Sequence, residues 1–251
     1  MSEHAKPSIF WEIHSGLPRE GPGDNASTRK AYSMTIDLPP KPHILDIGSG
    51  PGMQTMELAQ ISDGNIVAVD THQPFLDELE RRVQEQGLSD RVKTVNASMF
   101  ELPFGKESFD LIWAEGAMYF MGFRNALNAW KELLAPRGYI VVTEPSWLKT
   151  EIPDEVKAHW AEYPGMLPIE GTRKIIGECD FEEIGHFVLP DASWWEEYYN
   201  PQEQKLKTLK EKYKDNPDAL AQVAETQKEI DIHRKYGDLY GYVFFVMQKK
   251  S

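Results

Sequence analysis

The stretch HILDIGSGPGMQTMELA, residues 43–59, constrains the chain more than any other. A short apolar run leads into Gly48, Gly50 and Gly52, and apolar residues then recur at Met53, Met56 and Leu58 to Ile61 with helical spacing. A strand-to-helix turn needs glycine where the backbone takes positive φ or comes close to a ligand. The helix beyond it presents free N–H groups and a partial positive charge. The alternation then repeats. NIVAVD (65–70) reads as a second strand, and PFLDELERRVQEQG (74–87) as a helix with Pro at its start and Gly at its end. RVKTVNA (91–97) and FDLIWAEG (109–116) read as strands, FRNALNAWKELLAPRG (123–138) as a helix, and YIVVTEP (139–145) as a fifth strand. Short buried strands alternating with amphipathic helices predict an α/β fold, a mostly parallel sheet with helices on both faces.

The flanks are less regular. Residues 1–28 carry Phe10 and Trp11 and then SGLPREGPGDNAST, rich in turn formers, which predicts a loop of defined shape. STRKAYSMTIDL (27–38) resumes helical character, with Ser27 or Thr28 as N-cap and Pro39, Pro40 and Pro42 as the stop. After Pro145, residues 168–179 predict a helix, HFVLP (186–190) a strand, 201–236 two charged helices broken at DNPD, and YGYVFFVMQKK (240–250) a closing strand. The alternating charges of 201–236 fit a solvated face.

Two ligand classes use a glycine turn of this kind. A dinucleotide turn reads G-x-G-x-x-G, with pyrophosphate on the helix end. Here the spacing is G-x-G-x-G, and the third dinucleotide position is Met53. Asp46, two residues ahead of Gly48, would repel pyrophosphate but attract an ammonium or sulfonium group. Asp70 closes the second strand, where an acid accepts hydrogen bonds from both ribose hydroxyls and disfavours a 2′-phosphate. The net charge of −13 argues against nucleic acid or an anionic membrane as partner. Cys179 is the only cysteine, which excludes an internal disulfide framework and a CxxC metal pair, and no metal site is expected. Without a basic-then-apolar N-terminus, or an apolar run near the ~20 residues a bilayer needs, the expectation is a soluble cytoplasmic protein.

ILDIGSGPG, VAVD, LPFGKESFDLIWAEGAMYFMGF and LAPRGYIVVTEPSW together resemble a class I S-adenosylmethionine-dependent methyltransferase over roughly residues 40–147. The flanks GLPREGPGDNASTRKA and YGYVFFVMQK are similar to a branch of small microbial methyltransferases of mostly unassigned substrate. The resemblance implies a Rossmann-like seven-stranded sheet whose last strand is antiparallel. It implies a lid or cap segment over 1–35, and a methyltransferase domain over 36–251 with helical insertions near 148–180 and 201–236. It places Asp46, Gly48, Ser49 and Gly50 in the turn beside the methionine part of the cofactor, and Asp70 on the ribose, with Thr71 and His72 near the adenosine. Ser98 and Met99 fall against the adenine, serine standing where aspartate is commoner. Glu115 and Gly116 face the transferred methyl group. Arg19, in the stiff opening loop, either covers the methionine carboxylate or stands in solvent on a purely structural strap.

The implied activity is direct methyl transfer to a small molecule, giving S-adenosylhomocysteine, by a monomer or homodimer. The alternative is a non-catalytic cofactor-binding domain or a pseudoenzyme in a complex. A base is needed only for a nucleophile that arrives protonated; Glu115 is the first candidate, with Glu144 and Tyr119 behind it. Aromatics expected near the methyl site (Trp11, Tyr119, Phe120, Trp147, Trp194, Trp195, Tyr198 and Tyr199) point to a cationic amine held by cation–π attraction, or to a hydrophobic lid. Asp110 reads as structural, Gly52 as ligand approach or packing, and His14 as a lid residue or a solvated one.

Overall fold

Five parallel strands, β1 (His43–Ile47), β2 (Asn65–Asp70), β3 (Val92–Asn96), β4 (Phe109–Ala114) and β5 (Leu134–Trp147), form the centre of the sheet in the computed structural model, which describes residues 8–250. With β6 (Leu167–Pro168), β7 (Phe181–Val188) and β8 (Tyr240–Lys249), the order is β3-β2-β1-β4-β5-β8-β7, and β6 pairs with β5. Only β8 runs against the rest, bonded antiparallel to both β5 and β7. The order reverses between β1 and β4, so the carboxyl ends of β1, β2 and β4 surround the crevice where open α/β sheets bind ligands. The sheet has eight strands rather than the seven expected, because Leu167 and Pro168 pair with Ser146 and Trp147.

Helices cover both faces. α3 (Met53–Ile61) and α4 (Gln73–Glu85) share one core with α1 (Ser8–His14), α9 (Asn200–Lys212) and α10 (Pro217–Tyr236). On the other face lie α5 (Phe123–Trp130) and α7 (Ile169–Glu178). α5 shows why: Phe123, Ala126, Leu127 and Trp130 are buried at helical spacing, forming one apolar stripe. α2 (Asn25–Tyr32), α6 (Asp154–His159) and α8 (Ala192–Trp194) complete the set, the last running through a wide turn at Trp195–Tyr199 into α9. No described helix is long and apolar enough to cross a membrane.

Several expectations are corrected at the flanks. Residues 8–14 are helical rather than loop, because Ile9, Ile13 and Leu17 are buried against the body of the protein. Residues 1–7 of the expected lid lie outside the described residues. Asp24, not Ser27 or Thr28, caps α2: its carboxylate accepts the Ser27 N–H at 2.7 Å. The strand sought at 186–190 runs instead over Phe181–Val188, and β5 starts five residues before Tyr139. Cys179 is buried at the end of α7. Asp110 is structural, its carboxylate accepting the His43 N–H at 2.8 Å and so pinning the start of β1 to β4.

Candidate active site

Gly48, Gly50 and Gly52 all take positive φ, at 72°, 53° and 86°. A Cβ on Gly48 would lie 2.4 Å from the Ala117 Cβ, so the turn packs directly on the segment after β4. A Cβ on Gly52 would meet Leu79 at 2.3 Å, which gives Gly52 its role: packing against α4. The Gly48 and Ser49 N–H groups donate to the Val69 carbonyl. The Asp70 carboxylate accepts from the Gly50 N–H and the His72 N–H, each at 2.9 Å. One bond per oxygen leaves lone pairs on both, on a half-buried side chain at the lip of the crevice.

Asp46 is fully buried beneath this turn. It accepts from the Thr55 hydroxyl and, at 3.4 Å, from the Gln54 amide. It therefore anchors the first turn of α3. Burial pushes its pKa up to about 7, with the Glu115 and Asp70 charges adding to the rise. Ser98 accepts the Phe100 N–H at 3.3 Å, Met99 reaches within 4.0 Å of the Gly48 Cβ position, and Thr71 is exposed beside Asp70.

The opening segment folds back over the turn. Glu20 lies 3.8 Å from the Gly50 Cβ position and 3.1 Å from His14, which stacks on Phe10. Trp11 stacks flat on His72, with ring centroids 3.5 Å apart, and so closes the outer end of the crevice. Arg19 is 5% exposed. Its Nε donates to Glu197 and its Nη2 to Asn25, both at 2.6 Å, while Nη1 lies 3.7 Å from Glu115 Oε2 without a hydrogen bond. Glu115 Oε1 accepts from Trp113 Nε1 (2.8 Å) and the Thr28 hydroxyl (3.0 Å). Its Oε2 is buried and makes no hydrogen bond. Burial raises the Glu115 pKa, and the Arg19 charge opposes that rise. Arg19 Nη1 and Glu115 Oε2 thus sit side by side as a buried ion pair beside Gly23. Gly116 donates its N–H to Thr143 at 2.7 Å.

Glu144, near the end of β5, is 2% exposed; its Oε1 accepts from the Tyr163 hydroxyl and its Oε2 has no partner. Burial pushes its pKa up to about 8. Tyr119 meets Tyr163 edge to face at 6.0 Å, and burial pushes its hydroxyl up to about 12. Tyr242 stacks on Trp194 at 5.3 Å, its hydroxyl 3.8 Å from the Gly116 Cβ position. Of the aromatics expected around the methyl site, Phe120 points outward, 56% exposed. Trp195 lies under Arg234, and Trp147 packs on the core. Tyr163, bonded to Glu144, and Tyr242, beside Gly116, were not among the expected residues. They come from remote, otherwise unremarkable segments, and the tyrosine alternation in YGY was the sole signal.

The Glu144 titration has a measurable sign. A carboxyl held at about 8 in the fold, and near its ordinary value when unfolded, stabilises below about pH 4.5; that contribution is lost as pH rises through 8. Glu144→Gln keeps the shape and removes the charge. Between about pH 5 and 9 the variant's unfolding free energy should fall less than the native protein's, by a difference on the order of a few kcal/mol at the alkaline end, seen as a smaller drop in melting temperature. Equal slopes in scanning calorimetry would show that Glu144 is not held neutral.

An acid near the end of β1, a three-glycine turn and an acid at the end of β2 thus lie together on a sheet whose β8 alone is reversed. Residues 44–138 match the family described as "Methyltransferase domain". The glycine/sarcosine/dimethylglycine N-methyltransferase of Actinopolyspora halophila is 24% identical over 70% of this chain. An uncharacterized protein of Escherichia coli, YjhP, is 25% identical over 84% of this chain and 85% of its own length. The chain spans only 34–49% of the length of the first curated relatives it matches. A solved methyltransferase from Geobacter sulfurreducens, in complex with S-adenosylhomocysteine, has the same fold, with a TM-score of 0.81 at 19% identity over 97% of this chain and 98% of its own.

Proposed function

We propose that the protein binds S-adenosylmethionine across the carboxyl ends of β1 and β2 and methylates a small molecule, at nitrogen. The observation that supports this is the packing of the opening segment on the glycine turn, with Glu20 3.8 Å from the Gly50 Cβ position and Arg19 paired with Glu115. The unsatisfied Glu115 oxygen and the open lone pairs of Asp70 are what a bound cofactor would complete. When bound, the sulfonium supplies an activated methyl group. Asp70 holds the ribose hydroxyls, with Thr71 and His72 beside the adenosine and Ser98 and Met99 against the adenine. Gly48, Ser49 and Gly50 line the methionine side, with Asp46 supplying negative charge from below. Arg19 Nη1 binds the carboxylate, as guanidinium groups do well. Glu115 and Gly116 face the methyl group, and residues 8–35 act as a lid that excludes water. Nitrogen is the acceptor atom by analogy with the Actinopolyspora relative, which is named for N-methylation.

Asp70→Ala should weaken cofactor binding by on the order of 1.5–3 kcal/mol, as expected for hydrogen bonds to a charged group. An unchanged calorimetric affinity would leave Asp70 as a staple for the turn alone. The activity itself is tested by an acceptor panel of amines, phenols and carboxylic acids, read as S-adenosylhomocysteine release. Turnover with amines is expected. Cofactor binding with no turnover across the panel would favour a binding domain without catalysis.

A further inference from the structure

The opening segment brings one more acid to the glycine turn. Glu20 packs on Gly50, its Cγ 3.8 Å and its Cβ 4.0 Å from that residue's Cβ position. Gly50 holds a φ of 53°, and its N–H is already donated to Asp70. The Glu20 side chain is 18% exposed, and His14 Nδ1 holds its Oε2 at 3.1 Å. Its Oε1 makes no hydrogen bond, and no lysine or arginine forms an ion pair with it, among the described residues. Lys205 acts on Glu20 only at longer range, because its ammonium donates to the Ser15 carbonyl. The other acids around the crevice are committed. Asp46 is enclosed by Thr55 and Gln54, and Asp70 staples the turn from the β2 side. Glu115 is held by Arg19, Trp113 and Thr28.

We infer that Glu20 receives the α-ammonium group of the cofactor's amino-acid end, so that the opening segment and the glycine turn grip that end together. The inference rests on the methyltransferase reading, which sets the methionine part beside Gly48 and Gly50, and deepens it by assigning the ammonium its partner. An ammonium group carries three N–H donors and no acceptor. In a site that excludes water it loses its hydration, and that loss is costly unless an acceptor replaces it. A carboxylate with one oxygen uncommitted offers a charge-assisted hydrogen bond, and partial burial strengthens the attraction relative to bulk water. Glu20 is also held ready. Its stem rests on Gly50, His14 fixes one oxygen, and Pro18 and Pro22 stiffen the chain on either side. Little ordering is left for the ligand to impose, which favours binding. A ligand without the amino group leaves Glu20 to water and forfeits that bond alone. Glu20 therefore selects for the amine.

The test is a calorimetric titration of the full chain with three ligands: S-adenosylhomocysteine, its analogue lacking the α-amino group, and its analogue lacking the α-carboxyl group. Glu20→Ala should weaken S-adenosylhomocysteine at least about tenfold, a gap of ~1.4 kcal/mol, and the decarboxylated analogue by a similar factor. The deaminated analogue should bind the native protein and the variant alike, within about twofold. Glu20→Gln keeps an accepting oxygen without the charge, so its losses should fall between those of the native protein and Glu20→Ala. An equal loss for all three ligands would make Glu20 a support for the opening segment and overturn the inference. Unchanged affinity for S-adenosylhomocysteine in Glu20→Ala would overturn it as well. Failure of the native chain to bind S-adenosylhomocysteine would instead overturn the methyltransferase reading itself.

Discussion

Arg19→Ala should weaken cofactor binding by more than tenfold and lower the melting temperature in the same experiment. Arg19 is buried and bonds Glu197 and Asn25, with Glu115 at 3.7 Å. Removing one member of a buried ionic cluster leaves the others uncompensated, at a cost of up to about 3–5 kcal/mol. Two features reduce that figure. Glu197 is 36% exposed and can rehydrate, and Glu115 already has a raised pKa and can take up a proton. A loss on the order of 2–3 kcal/mol of stability is therefore expected. The affinity loss is a separate effect, since Nη1 is the bonding capacity offered to the methionine carboxylate. Arg19→Lys keeps the charge but not the fork, and should restore stability more than affinity. Undiminished affinity in Arg19→Ala, measured below its melting temperature, would reduce the strap to packing. Deleting the opening segment is the cruder version of this test, because Ile9, Ile13 and Leu17 are part of the core and truncation would expose it.

Gly48→Ala should be the most damaging single methyl group in the molecule. The residue sits at φ 72°, where a side chain costs roughly 1–2 kcal/mol. The added Cβ would also stand 2.4 Å from the Ala117 Cβ, an overlap that backbone movement must relieve at a further ~1–3 kcal/mol. Thermal or urea denaturation should show a combined loss of about 2–5 kcal/mol. The two parts separate in a double variant: adding Ala117→Gly removes the overlap but not the backbone strain, so it should recover only the packing share. A Gly48→Ala protein as stable as the native one would mean that the turn has room to spare.

What the sequence made legible was whatever short-range physics dictates. β1, β2 and the turn between β1 and α3 are written in local patterns: buried strand runs, and glycines where φ must be positive. The same holds for α5, whose four buried positions recur at helical spacing. α1 was not legible, because SIFWEIH carries no cap and its helix is held by distant packing of Ile9 and Ile13. Asp24 was passed over as the cap because Ser27 and Thr28 offered the same chemistry nearby. The resemblance implied the cofactor-side residues, and the fold adds that Asp46 is bonded by Thr55 and Gln54 at the start of α3, which spacing alone does not foretell. Glu144 was legible as an acid near a strand end, but the Tyr163 hydroxyl that bonds it comes from a later segment, and no spacing in the sequence foretells that.

The central claim, that the strap-covered glycine turn is an S-adenosylmethionine site, is tested most directly by calorimetric titration of the full chain with S-adenosylmethionine and, separately, with NAD. Saturable one-to-one binding of S-adenosylmethionine is expected, with NAD binding far more weakly because Asp46 and the G-x-G-x-G spacing disfavour pyrophosphate. Tighter binding of NAD, or no heat with S-adenosylmethionine, would contradict the account.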